Sequence, residues 1–374
     1  MKLIFLSNFY NHHQEPLCRE LATQSGVLFR FIACGSISPE RRMMWGEIKE
    51  LPNFVITPYS PAEWAVVSQE ILAADAVIIG SAPQALIRER LRAGKLILRY
   101  QERPMKSSMD PIKFLPRMVK WHNWNPHDKP IYLLCASAYA AEDYAKMGLF
   151  CGKAYKWGYF PKMITYDPET LLSKKEKDSI FWAGRFLEWK HPDDAIMAAI
   201  QLRDAGYAFT LRMAGSGVLE PKLREIIARN GLEKQVRILG NLSPEQVRHE
   251  MERSEIFLFT SDRYEGWGAV LNEAMNSGCV VVASNAAGAT PYLVDHGVNG
   301  CVYCSGNRNE MYMNVEQLLE HQSNMVYMGK KAYETITNTW NAKIAASRLC
   351  ELIRAILAGD SSPELYQEGP CSLA

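Results

Sequence analysis

The chain has no apolar run approaching the roughly 18 residues needed to cross a bilayer, which leaves no candidate membrane span. Its opening residues, "MKLIFLSNFY", place only four apolar residues together, too few for the apolar core of a signal peptide. The nine cysteines are scattered and odd in number, so no disulfide framework is read and a reduced, cytoplasmic compartment is expected. Cys301 and Cys304 form a lone CxxC with no second pair or nearby histidines, which reads as turn and core packing rather than zinc or redox chemistry. Gly215-Ser216-Gly217 lacks the third glycine of a dinucleotide fingerprint, and this disfavours a nicotinamide-dependent oxidoreductase. There is no acidic pair of the DxD type, so no metal is expected, and no cofactor beyond a co-substrate. No solenoid-period repeat is visible.

What is present is a soluble, globular composition of 374 residues, 48% apolar and 22% charged, enough for two domains with sizeable cores. The net charge of +1 is too small to argue for nucleic acid. Residues 1–160 carry 20 basic against 14 acidic side chains, and the rest 22 against 27. Different partners for the two halves are expected from that asymmetry.

Short apolar strands alternate with helices along both halves, the rhythm of βαβ units around parallel sheets. "KLIFLS", "VLFRFIA", "FVITPY", "AVIIGS" and "KLILRY" mark the first series. "SIFWAGRF", "FTLRMAG", "VRILGNL", "IFLFTS", "CVVVASN" and "GCVYC" mark the second. Two prolines and a charge run after Trp157 place a junction near Pro161. The expected organisation is a first domain over 1–160 and a second over 161–342. A helix over 343–358 is expected to return to the first domain, followed by a flexible tail over 359–374.

In doubly wound sheets, ligands sit beyond the carboxyl ends of the strands, and the polar motifs of the second half fall there. Arg185 and Lys190 follow one strand directly. A guanidinium that grips two oxygens and a mobile ammonium suit a diphosphate. Gly215 and Gly217 allow close backbone approach before a helix. In "YEGWGAVLNEAMNSG", Gly266 and Gly268 let the chain turn so that the amides of Trp267, Gly268, Ala269 and Val270 face an anion at a helix start. Glu265, ahead of that helix, can accept bonds from sugar hydroxyls, and Glu273, one turn inside, suits a ribose cis-diol. Taken singly, these glutamates read as exposed helix residues, and the cations as a surface pair with Glu188. Read together, they bracket one nucleotide-activated sugar.

"AGRFLEWK", "AGSGVLEPKL", "VRILGNLSPEQV" and "YEGWGAVLNEAMNSGCVVVASNAAGATPYLVDHGVNG" together resemble glycosyltransferase family 4, over about residues 180–345 and in the right order. The resemblance implies a GT-B architecture, two Rossmann-like doubly wound domains facing a central cleft. It implies a retaining transferase moving a hexosyl group from a nucleotide diphosphate sugar, expected to be UDP-linked, to a glycan or lipid-linked glycan hydroxyl. It gives Arg185 and Lys190 the diphosphate, Glu265 the transferred sugar and Glu273 the ribose. The loop from Asn241 through Leu242 to Ser243 lies by the base, and the amides of Ala269 and Val270 by the phosphate. His191-Pro192 stands where the family usually has glycine.

The first half matches poorly. Its acceptor-side candidates are His12 and His13 after the first strand, and Glu102 and Arg103 where the family's histidine usually lies, the latter two read alternatively as a mutual ion pair. Ser81 is a weaker candidate. Lys113–Trp124 interleaves basic and aromatic residues and reads either as a helix packed on the sheet or as a contact with the inner membrane surface. The rival readings are a nucleotide-sugar-binding protein without transfer activity and a nucleotide-sugar epimerase of the same architecture.

Overall fold

The computed structural model describes residues 1–35, 50–106 and 111–374, with side chains of the last stretch described from residue 115. The chain divides into two units, Met1–Lys162 with Asn341–Ala374, and Met163–Trp340.

The first unit holds a parallel sheet of seven strands: β1 (Lys2–Ser7), β2 (Leu28–Ala33), β3 (Val55–Ile56), β4 (Ala76–Ile79), β5 (Ile97–Gln101), β6 (Ile131–Cys135) and β7 (Ala154–Lys156). Their order across the sheet is β3-β2-β1-β4-β5-β6-β7. The second unit holds six parallel strands: β8 (Glu176–Ala183), β9 (Thr210–Ala214), β10 (Val236–Gly240), β11 (Ser254–Phe259), β12 (Val280–Ser284) and β13 (Gly300–Tyr303). They are ordered β10-β9-β8-β11-β12-β13. Both sheets thus reverse direction once, between the first and fourth strands of each series, as doubly wound folds do. Strands covered on both faces read as unbroken apolar runs, and every residue of β4, β6 and β12 is buried. β6 ("IYLLC"), β7 and the helices Arg308–Glu320 and Gln322–Asn338 extend the alternation beyond the strand runs named above.

Two buried cations tie helix ends into these cores. The Arg90 guanidinium, 1% exposed, donates to the carbonyls of Ile71 at 2.9 Å, Ala74 at 2.7 Å, Asp75 at 2.8 Å and Leu96 at 2.8 Å. It thereby satisfies the end of helix Pro61–Ala73 and the approach to β5. Burial pushes its pKa down to about 10, so it stays charged at neutral pH. In the second unit, the Lys175 ammonium donates to the carbonyls of Ser254 at 2.6 Å and Ser277 at 3.0 Å. It closes the ends of helices Pro244–Glu252 and Ala269–Asn276.

The last helix runs Ala342–Leu357, capped by the Asn341 side chain, and belongs to the first unit, where it packs on helix Glu15–Thr23. The segment 359–374, expected to be a flexible tail, is instead packed. The Cys371 amide donates to the Lys156 carbonyl and the Lys156 amide to the Ser372 carbonyl, both at 2.8 Å. Tyr155 and Leu373 form an antiparallel bridge, and Cys371 and Ser372 are buried. Arg348 lies 4.3 Å from the Tyr366 ring centroid. The polar composition of this segment hid that it supplies a last hydrogen-bonded partner to β7.

Replacing Arg90 with Met keeps the stem but strands four carbonyls in the core. The expected loss is about 3 kcal/mol, read in urea as an earlier unfolding transition of the first unit. An unchanged midpoint contradicts this account.

Candidate functional site

Because strands β8 and β11 are neighbours whose following segments lead in opposite directions, the loops leaving them meet at the reversal point of the second sheet. Their contacts lock the two loops together. The Asp262 amide donates to the Trp189 carbonyl at 2.9 Å. The Thr260 hydroxyl donates to the Lys190 carbonyl at 2.5 Å and accepts the Trp182 indole N–H at 2.8 Å. This lock brings the Lys190 ammonium onto the Glu265 carboxylate, which also accepts the Ser261 hydroxyl at 3.2 Å. The two charged side chains are only 15% and 16% exposed, so their attraction is screened less than that of a surface pair. Lys190 therefore pairs with Glu265 rather than with Glu188. Arg185 is exposed, its guanidinium 5.5 Å from the Trp189 ring centroid.

The glycines of this region serve two purposes. A Cβ on Gly215 would stand 1.8 Å from the Gly184 carbonyl oxygen, and one on Gly217 would stand 2.5 Å from that of Phe186. The close approach they permit is thus made by the chain's own β8 loop, held by the Phe186 amide on the Ser216 carbonyl at 2.8 Å. Gly268 is left-handed at φ 95°, precedes helix Ala269–Asn276 as its N-cap, and has no room for a Cβ beside Phe259. The peptide N–H groups at the start of that helix, including those of Ala269 and Val270, carry the positive end of its dipole. Gly266 is buried. Trp267 is buried too, its indole N–H donating to Asn272 at 2.8 Å, so only its main chain is available to a ligand.

The Asn241–Leu242 segment leads into helix Pro244–Glu252, whose start is set by a capping box between Ser243 and Gln246. The Gly240 carbonyl accepts the Gly215 amide at 2.8 Å, which places this loop beside the β9 turn. Glu273 lies one turn inside its helix. Burial pushes its carboxyl above the ordinary range, and the positive charge of Arg248 opposes that. Arg248 was not singled out from sequence. It donates to the Glu273 carbonyl at 2.9 Å, with its other terminal nitrogen 3.9 Å from the Glu273 carboxylate. The only signal for it was an arginine one turn beyond a capping box, which reads as a solvated helix face.

His191, Asp193 and Asp194 cluster within 4.8 Å, a metal-like arrangement. Arg308 meets both carboxylates, at 3.2 Å and 2.5 Å, and the Lys222 ammonium lies 3.7 Å from Asp193, so two cations face the two acids.

The acceptor-side candidates lie in the first unit. A cavity of about 450 Å³ opens at the carboxyl ends of β1, β4 and β5, with His13, Ser81, Glu102 and Arg103 among its walls. The His12 ring centroid lies 3.8 Å from that of His13, with the two rings tilted by 45°. Burial pushes His13 down to about 3, which keeps its imidazole neutral at physiological pH. Glu102 accepts the Lys106 ammonium and the Tyr159 hydroxyl, both at 2.7 Å. Arg103 pairs with Asp143 at 3.2 Å. The mutual Glu102–Arg103 pair is therefore not formed; each side chain has a different partner.

Residues 164–335 match the family model for glycosyl transferases group 1. The amylovoran biosynthesis glycosyltransferase AmsK of Erwinia amylovora is 28% identical over 182 residues, 47% of this chain and 44% of the relative. The putative colanic acid biosynthesis glycosyltransferase WcaL of Escherichia coli K12 is 25% identical over 200 residues, 52% of this chain and 49% of the relative. The matched stretch thus spans about half the length of these relatives or less. Among solved structures, Anabaena Alr3699/HepE in complex with UDP superposes with a TM-score of 0.69 at 17% identity, covering 95% of this chain and 100% of that one. That likeness shows the fold. Residues 164–335 of this chain are thus similar to the glycosyl transferases group 1 family, and the whole chain has a GT-B-type fold of two Rossmann-like domains.

Proposed function

We propose that the protein is a retaining glycosyltransferase that moves a hexosyl group from a nucleotide diphosphate sugar to a hydroxyl of a glycan or lipid-linked glycan. The observation that carries this reading is the meeting of Lys190 and Glu265 at the reversal point of the second sheet, beside the N-terminus of helix Ala269–Asn276. UDP is the favoured carrier, since the HepE structure was solved with UDP. Bacterial polysaccharide assembly is the favoured setting, given the relatives AmsK and WcaL.

In this reading the donor's diphosphate lies at the helix start, with Glu273 on its ribose and the Asn241–Leu242 loop by its base. Glu265 holds Lys190 until the donor arrives. Its carboxylate then accepts hydroxyls of the sugar, and the ammonium turns to the diphosphate. The sugar–phosphate bond breaks through an oxocarbenium-like state, and the acceptor oxygen bonds to the sugar carbon on the face the diphosphate leaves, its proton passing to the departing diphosphate. Negative charge builds on that diphosphate, and preorganised cations and dipoles aimed at developing charge are the strongest source of rate. Arg185, Lys190 and the helix N-terminus supply them, so the scheme needs no metal ion. The cavity holding His13 and Glu102 is assigned to the acceptor.

No helix among the described residues is long and apolar enough to cross a membrane. Helix Pro111–Trp124 nonetheless exposes Leu115 and Val119 beside Arg117 and Lys120; Lys113 lies outside the described side chains. An apolar and basic exposed face of this kind suits the anionic inner leaflet of the cell membrane, where a lipid-linked acceptor would be met from the cytoplasmic side.

Incubated with UDP-sugars, the protein is expected to release UDP slowly, and Lys190→Ala or Glu265→Gln to reduce that release at least a hundredfold. A protein that only binds the donor would be stabilised by UDP yet release none, and an epimerase would change the sugar without releasing it. At a hundred times its dissociation constant, UDP should add about 2.7 kcal/mol of stability, seen as a raised melting temperature; no shift with any nucleoside diphosphate removes the donor reading. With anionic liposomes, flotation of the protein should be lost on changing Arg117 and Lys120 to Glu. Equal flotation of both forms would dismiss the membrane contact.

A further inference from the structure

Arg248 lies on the helix that begins directly after the Asn241–Leu242 segment, one turn beyond its capping box. Its guanidinium reaches across to the neighbouring helix Ala269–Asn276. One terminal nitrogen donates to the Glu273 carbonyl at 2.9 Å, to the Asn276 side-chain oxygen at 3.2 Å and to the Ser277 hydroxyl at 3.2 Å. The other stands 3.9 Å from the Glu273 carboxylate. The arginine side chain is 11% exposed and the glutamate 26%. A guanidinium presents its donors in a rigid fork. Anchored on the main chain of Glu273 by one arm, it fixes the place of the carboxylate facing the other.

We infer that Arg248 is a positioning residue for nucleotide recognition, holding the Glu273 carboxyl group in place and aimed for the ribose diol. The inference rests on the proposed donor reading and adds to it the group on which the ribose contact depends. One helix then serves two parts of the nucleoside: its start shapes the loop assigned to the base, and its second turn sets the acid assigned to the ribose. The requirement is chemical. A carboxylate accepts from both hydroxyls of a cis-diol, whereas a protonated carboxyl must spend one oxygen as a donor. Glu273 sits where burial favours the protonated form, and Arg248 is the charge that opposes it. Removing that charge raises the carboxyl further, so the acid limb of binding moves to higher pH.

The test uses the full chain with UDP and 2′,3′-dideoxy-UDP as probes, by titration calorimetry across pH 5.5–9. Arg248→Met keeps the length of the side chain and removes its charge and donors. It is expected to weaken UDP about tenfold at neutral pH, the worth of one charged hydrogen-bonded contact, and dideoxy-UDP hardly at all. UDP affinity of Arg248→Met should recover as pH rises, and Arg248→Lys should restore part of it at neutral pH. Equal losses for the two nucleotides would mean that Arg248 only holds two helices together, and the inference fails while the donor reading stands. Should Arg248→Met unfold, Arg248→Gln serves in its place with the same selective loss of UDP expected; a loss of dideoxy-UDP affinity in that variant as large as the loss of UDP affinity also overturns the inference. If the unaltered protein binds neither UDP nor GDP, the donor reading falls first and this one with it.

Discussion

The reversal of strand order between β8 and β11 is the constraint from which the second unit's chemistry follows. Right-handed crossovers carry the chain away from these neighbouring strands on opposite faces of the sheet, so no helix can cover the ground between their carboxyl ends. Polar loops fill it instead. The mutual bonds of Thr260, Lys190, Asp262 and Trp189 satisfy main-chain groups that such a gap would otherwise leave unpaired. Once those loops are locked, an ammonium and a carboxylate 75 positions apart in sequence have little choice but to meet.

That pairing also explains how two charges persist in a poorly solvated place. Neither side chain is left alone, which would cost several kcal/mol in an interior setting. The same reasoning applies to Asp193 and Asp194 with Arg308, and to Arg103 with Asp143. Both units repeat one habit: charged groups near the loop face are bound to partners contributed by a different element. Lys175 extends it to main-chain carbonyls, closing two helix ends at once.

Much of this was legible in the residues. Apolar runs gave β1 to β5 of the first sheet and all six strands of the second, and glycine spacing gave the turn before helix Ala269–Asn276, because those signals are local. The cations after β8 and the glutamates around Gly268 were readable as one group because each follows a strand end. Arg248 was not, since its meaning depends on which helix packs beside it, and an arginine on an amphipathic helix looks the same with or without a partner. The first unit was harder for a related reason. Glu102 and Arg103 are adjacent in sequence, yet their side chains part to reach Lys106 and Asp143, and alternation along an extended chain makes such divergence ordinary. The segment after Leu357 looked polar and unstructured because its order comes from main-chain bonds to β7, which leave no trace in composition.

Those main-chain bonds have a practical meaning for the sheet they adjoin. A border strand with unanswered amides invites pairing with another molecule, and the final residues of this chain occupy that position along Lys156 and Ala154. They act as a selvedge. Trimming them, or drawing them outward with an appended sequence, would leave a raw margin and uncover the Cys371 thiol, turning a self-contained subunit into one prone to stick to its copies.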